Sequence, residues 1–190
     1  MTGVTAAPMT AIAIREILSS ELDIRFRRLG ELLDEAVSSG ASLGFLSPLR
    51  SDEARQYWLS LRPELERGSR LLLGAWFGNR LVGSGQLAFP SSPNGHHRAE
   101  LQKHFVGTRF QGLGIGRALL TALHDGALQR RRSLIILNVR RGDSAERLYR
   151  GLGYREAGVV PGYTVGPTGD RFDNVTLYIE LQQSSNSAEY

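Results

Sequence analysis

The chain has 190 residues, of which 41% are hydrophobic and 22% charged, and a formal net charge of +4. That balance suits one globular domain with a buried core and excludes a mainly disordered or collagen-like chain. With no cysteine, a disulfide framework, a thiol nucleophile and any cysteine-ligated metal site are excluded as well.

Residues 12–17 alternate loosely and predict a strand after a flexible tail at 1–11. From Ser20 onward, Leu22, Phe26, Leu29, Leu33 and Val37 recur at three- and four-residue steps. This predicts an amphipathic helix over 21–37, with Ser20 as its N-cap. A loop over 38–50 carries Gly40, Gly44 and Pro48, and Ser51-Asp52-Glu53 opens a second helix through Tyr57, Trp58 and Leu61 that Pro63 ends or bends. Two apolar runs, 71–77 and 81–89, flank Gly78-Asn79-Arg80 and predict an antiparallel hairpin.

Residues 98–107 read as another strand, followed by a glycine-rich turn and a helix reaching Arg130. The near-continuous apolar run 133–139 predicts a strand buried on both faces and parallel to the strand before the helix. Asp143 with Glu146 predicts the cap of a short helix that stops near Gly151. Strands between Tyr154 and Leu181 then close the sheet ahead of a polar tail at 182–190. The order predicts a single mixed α/β domain over 12–181.

The most specific signal is Arg109-Phe110-Gln111-Gly112-Leu113-Gly114-Ile115-Gly116-Arg117, set between a strand and a helix. Glycines let a backbone turn tightly, and the free amides of a helix N-terminus favour negative charge, so such a turn can cradle a pyrophosphate. A dinucleotide-binding fingerprint would need glycine where Arg117 stands. A nucleotide-triphosphate loop would need Lys-Ser/Thr where Leu113 and Gly114 follow Gly112.

Gln111, Gly114 and Gly116 resemble the Gln/Arg-x-x-Gly-x-Gly/Ala motif of the GNAT superfamily of acyl-CoA-dependent N-acyltransferases. Ala145, Leu148, Tyr149, Leu152, Gly153 and Tyr154 resemble its second signature, Ala-x-x-Leu-Tyr followed by Leu-Gly-Phe/Tyr. Gly44-Phe45-Leu46 before Tyr57-Trp58, and His97 to Lys103, are similar to the branch that includes tabtoxin-resistance acetyltransferase. The resemblance implies a GNAT-type twisted sheet with helices on both faces and two splayed central parallel strands. It implies acetyl-CoA as cosubstrate, held by Phe105, Val106, Gln111, Gly112, Leu113, Gly114, Ile115, Gly116 and Arg117. Gly142 stands where many members carry an Asn that contacts the pantetheine arm, which leaves Asn138 or Asp143 as its candidate substitutes.

An amine attacking a thioester must lose a proton, and the departing thiolate gains from receiving one. Alternation places Glu100, Gln102 and His104 on one strand face unless a bulge intervenes. Glu100 matches the position of the family's general base, and Tyr149 matches its thiolate protonator. Asn138 departs from the Asp that members of this branch often carry, and an amide cannot replace a carboxylate base. The resemblance also places Phe45, Trp58 and Tyr163 as an aromatic wall around a small amine.

The four histidines, at 96, 97, 104 and 124, lack metal-ligand spacing, so no metal is expected. The positive charge is almost all arginine, Lys103 being the only lysine, without the basic and aromatic interleaving of a nucleic-acid surface. No apolar run approaches the roughly 18 residues of a membrane span, so a cytoplasmic protein without nucleic-acid or membrane partners is expected, a homodimer being left open. A noncatalytic acyl-CoA-binding domain and an arginine-rich nucleic-acid-binding domain are the competing classes.

Overall fold

A computed structural model of the protein describes residues 12–182. The tail expected at 1–11, and that at 182–190 apart from Gln182, lie outside the described residues. The elements are β1 (Ile12–Glu16), α1 (Leu22–Ser38), α2 (Ser51–Ser60), α3 (Arg62–Glu66), β2 (Arg70–Phe77) and β3 (Arg80–Ala88). They continue with β4 (Arg98–Val106), α4 (Ile115–Gln129), β5 (Leu134–Arg140), α5 (Ser144–Arg150), β6 (Arg155–Val165) and β7 (Arg171–Glu180).

Helix α1 follows from its stripe, since Leu22, Leu29, Leu33 and Val37 are all buried. Its start differs from the expected Ser20 cap. A short 3-10 turn at Ser19–Glu21 leads in, and the Glu21 carboxylate accepts the Leu18 amide at 3.1 Å. Pro63 lies in the first turn of α3, where a missing N–H leaves no broken bond, so it opens a helix as well as closing one.

The seven strands form one sheet in the order β1-β2-β3-β4-β5-β7-β6. Every neighbouring pair is antiparallel except β4 and β5, which are parallel. That pair is joined only at Arg98, Ala99 and Glu100, opposite Leu134, Ile135 and Ile136. Beyond Glu100 the two strands part while each stays paired on its outer side.

One sheet face packs Leu71, Val82, Leu101, Ile135, Leu137 and Leu177 against Leu119, Leu120 and Leu123 of α4 and Tyr149 of α5. The other packs Leu72, Trp76, Leu81 and Phe105 against α1 and α2, through Leu29, Leu32, Leu33 and Trp58. These two helices stop short of β5. Its Ile135, Leu137 and Val139 are buried, but Asn138 is exposed, so β5 is not buried on both faces as its apolar run suggests.

A bulge interrupts the pairing of β4 with β3. Ser84 faces Phe105 and Gln86 faces Gln102, so Gly85 alone stands opposite Lys103 and His104. Lys103 takes a left-handed backbone with φ of 47°, which is uncommon outside glycine. The extra residue reverses the alternation from that point on.

No helix among the described residues is long and apolar enough to cross a membrane. Trp58 is fully buried, its ring 5.1 Å from Tyr57 and 6.4 Å from Phe105 between centroids. Trp58→Ala should therefore lower folding stability by about 3–5 kcal/mol, the usual cost of emptying such a site. Urea denaturation reads this directly, and a loss under about 1 kcal/mol would mean that the ring is not packed as described.

Candidate active site

Between β4 and α4 the chain makes a 3-10 turn at Thr108–Phe110 and then a glycine turn. Gly112 and Gly114 have φ of 78° and 79°, a region in which a Cβ is strained. Gly114 is the N-cap of α4, and the first backbone bond into it runs from the Ala118 amide to the Gly114 carbonyl at 3.0 Å. The amides of Ile115, Gly116 and Arg117 therefore have no acceptor within the helix and point out of its positive end.

Two side chains brace this turn. Gln111 donates through Nε2 to the Val106 carbonyl at 3.1 Å, tying it to the end of β4. Glu35, near the end of α1, accepts the Thr108 amide at 2.7 Å and also the Thr108 hydroxyl. The hydroxyl bond is the main reason that its carboxyl sits below the usual range.

The turn opens into a groove of about 400 Å³, bounded by Ser39 and Ala41 beyond α1, by His104, Phe105 and Val106, and by Ser144, Ala145 and Leu148 of α5. Gln111, Gly112, Gly114, Ile115, Gly116 and Arg117 all line it, while the Leu113 side chain is exposed beside it. Asn138 and Asp143 are not among the lining residues. The Asn138 side-chain Oδ1 accepts from the Asn174 side chain at 3.2 Å and from the Thr176 hydroxyl at 2.8 Å, both on β7. Asp143 is the N-cap of α5, yet its carboxylate takes the Arg140 guanidinium at 2.9 Å instead of a helix amide. A larger cavity of about 590 Å³ lies between α1 and α2, but it offers mixed charges and no helix N-terminal glycine turn.

Beside the groove, Tyr149 is almost wholly buried, and its hydroxyl lies 3.1 Å from His104 Nδ1. The other ring nitrogen, Nε2, lies 3.0 Å from the Gly116 carbonyl. A carbonyl only accepts, so Nε2 carries the proton, Nδ1 is an acceptor, and Tyr149 donates to it. Burial holds His104 neutral by pushing its pKa down to about 4, and it pushes the Tyr149 hydroxyl well above the usual tyrosine range. The bulge makes this pair. In unbroken alternation His104 would share a face with Glu100 and Gln102; instead it lies on the α4 side.

Glu100 is exposed at the last position joined to β5, between Ala99 and Leu101, which face the α4 core. It makes no ion pair among the described residues. Farther along the same face, the Lys103 ammonium lies 5.2 Å from the Phe45 ring centre and 5.1 Å from that of Tyr57. Phe45 and Tyr57 themselves meet edge to face at 5.3 Å.

The aromatic wall thus differs from the expected one. Trp58 points into the core, and its neighbour Tyr57 takes the place beside Phe45. Tyr163 is 58% exposed on β6 and makes no ring contact with either among the described residues. Ala54, Trp58 and Leu61, all buried, mark the inward stripe of α2, and Tyr57 lies at its edge, half-buried against the same core.

Below Tyr57 lies a buried polar cluster that the sequence reading missed. Arg70 donates to Glu64 at 2.7 Å, Gln86 at 2.8 Å and Gln102 at 2.9 Å, and Tyr57 donates to Gln86 at 3.1 Å. Burial raises the Tyr57 hydroxyl to about 12. Lys103 is pushed below the usual lysine range, first by burial and then by Arg70.

A neutral buried imidazole makes stability depend on pH. Unfolded, His104 takes up a proton near pH 6.5; folded, it does so only near 4, so the unfolded chain binds more protons between these values. The melting temperature should fall as pH drops from 6.5 towards 4, and His104→Gln should flatten that fall. Part of the slope should remain, because burial lowers His124 as well. Equal slopes in the two proteins would mean that His104 is not held neutral by the fold.

Comparison with known proteins gives one family. A model described as an acetyltransferase (GNAT) domain matches residues 51–163. A Salmonella typhimurium protein solved with its cofactor acetyl-CoA is 19% identical, with a TM-score of 0.72 over 92% of this chain and 96% of its own. The ribosomal-protein-alanine N-acetyltransferase of Brucella melitensis is 24% identical, with a TM-score of 0.70 over 89% of this chain and 99% of its own. A GNAT-family acetyltransferase from Streptococcus pneumoniae is 17% identical, with a TM-score of 0.73 over 90% of this chain and 100% of its own. At such identities the solved structures share the fold, while the family match takes in more than half of the sequence, from α2 through the glycine turn to β6; the chain belongs to the GNAT acetyltransferase family.

Proposed function

We propose that the protein transfers the acetyl group of acetyl-CoA to a primary amine of a small molecule, by direct attack in a ternary complex, with residues 12–181 acting as one domain. The observation that carries this reading is the helix N-terminus at Gly114, whose free amides open into a groove along the part of β4 that lies beyond its last pairing with β5. Amides at a positive helix end suit a pyrophosphate. The parted strands leave main-chain groups unpaired on their inner edges, and these suit an extended arm that carries amides of its own. Acetyl-CoA, when bound, supplies an acyl group activated as a thioester.

On this reading Glu100 takes a proton from the acceptor ammonium, which frees the nitrogen lone pair. As the C–N bond forms and the C–S bond breaks, Tyr149, kept protonated by burial, turns its O–H away from His104 by rotation about one C–O bond and gives that proton to the departing sulfur. The proton that the new amide nitrogen sheds restores the phenol. Asn138 keeps a hydrogen-bonding role, because its amide has no carboxylate to take a proton. The similarity to the tabtoxin-resistance branch supports a small acceptor, and the cytoplasm is the proposed place of action. The Brucella relative, named for a ribosomal-protein alanine, makes a peptide N-terminus the rival acceptor.

A thiol-release assay with a panel of small amines and of alanine-starting peptides tests the reading. Turnover of small amines supports it, turnover of peptides alone favours the rival, and acetyl-CoA binding without any thiol release would reduce the protein to a binder. Gly114→Glu should abolish acetyl-CoA binding by adding bulk and charge at the helix end. Gly114→Ala, which adds only backbone strain, should weaken binding much less, and equal affinity in folded Gly114→Glu and the parent would refute the phosphate site. Tyr149→Phe should lower turnover by roughly a hundredfold or more with little change in acetyl-CoA affinity. An unchanged turnover number with chemistry limiting would make Tyr149 a packing residue.

A further inference from the structure

Lys103 is the chain's only lysine, and the structure holds it in an unusual way. Its backbone is left-handed on the β4 bulge, a conformation that persists only where the surroundings fix it. The half-buried ammonium has three donors and faces the rings of Phe45 and Tyr57. The ring faces attract the charge but accept no ordinary hydrogen bond from it. No carboxylate lies within ion-pair distance of it among the described residues, the Glu100 charge acting on it from farther off, whereas its cationic neighbour Arg70 is committed to Glu64, Gln86 and Gln102.

A second donor nearby is also unused. Gln86 is fully buried, and its Oε1 accepts from both Arg70 and Tyr57. Arginine can only donate, so the oxygen must face it and the amide cannot be turned round. Its Nε2 is left without a partner. Buried donors of this kind are rare and call for an explanation such as a ligand. Tyr57 meets both residues, with its ring centre 5.1 Å from the Lys103 ammonium and its hydroxyl on the Gln86 Oε1.

We propose that Lys103 binds a carboxylate of the acceptor, so that the amine this protein acetylates is an amino acid and not a simple amine. This rests on the acetyl-transfer reading for what happens to the amine. Glu100 is uncommitted on the same strand face, three residues earlier, at roughly 10 Å between Cα atoms. Two opposite, unpaired charges with side chains able to lean together suit a molecule that carries an ammonium and a carboxylate a few bonds apart. A simple amine leaves Lys103 unanswered, and a peptide N-terminus has its carboxylate too far away.

The test is equilibrium binding to protein saturated with CoA, followed by calorimetry, so that no turnover is needed. The probes are free amino acids, their carboxamides and the matching decarboxylated amines. At least one free amino acid should bind roughly tenfold or more tightly than its carboxamide, the range of a charge-assisted hydrogen bond. Lys103→Met should erase that preference while leaving the carboxamide affinity in place, and Lys103→Arg should keep it. Lys103→Gln serves if Lys103→Met does not fold. The proposal is wrong if no free amino acid outbinds its carboxamide, or if the preference survives in a folded variant without the charge. Thiol release with the preferred amino acid is measured separately; its absence alongside an intact preference sinks the acetyl-transfer reading and not the role of Lys103.

Discussion

One extra residue in β4 decides which side chains meet. The bulge opposite Gly85 turns Gln102 and Lys103 towards α2 and sends His104 to the α4 side, where it finds Tyr149. Regular alternation would have exchanged Lys103 and His104, leaving a charged amine against the apolar core of α4 and an imidazole among the rings. The same stretch is where β4 leaves β5, so the bulge and the parting of the strands fall within a few residues of each other. Glu100, Lys103 and His104 all lie on this length of chain, and the glycine turn follows it.

The two faces of the sheet carry different chemistry as a result. On the α4 side, His104 with Tyr149 and His124 with Tyr154 are neutral pairs set in an apolar core. On the α2 side, charges are present and partly balanced: Arg70 against Glu64, with Lys103 and Glu100 left over. Burial therefore suppresses charge on one side, while the other side holds it, paired where it is buried, as at Arg70, and exposed at Glu100. A reaction that must take a proton from an incoming cation and give one to a leaving anion is served by this asymmetry.

Much of this was legible in the sequence. The period of α1, the hairpin around Gly78-Asn79 and the strand, turn and helix through Gln111 to Arg117 all express local patterns, and the structure has each of them. The bulge was not legible, because Lys103 carries none of the glycine signal that usually marks one; the pairing of Ser84 and Gln86 imposes it from another strand. The open face of β5 was hidden for a similar reason. Its apolar run does not record that α1 and α2 stop over β4, nor that Asn138 finds its partners on β7. Tyr57 was legible and overlooked, since the stripe of α2 passes through Trp58.

The hold of His104 on Gly116 reaches beyond the phenol that it orients. A peptide group is planar, with its C=O and N–H pointing opposite ways. Pinning the Gly116 carbonyl from the side with an imidazole N–H therefore also fixes the direction of the Arg117 amide, which points out of the N-terminal end of α4. The bonding of α4 holds that peptide plane as well, so the imidazole adds a second, side-on hold at its first turn. On the acetyl-CoA reading these amides are thus held in direction before any phosphate arrives, and binding need not spend part of its free energy on ordering them.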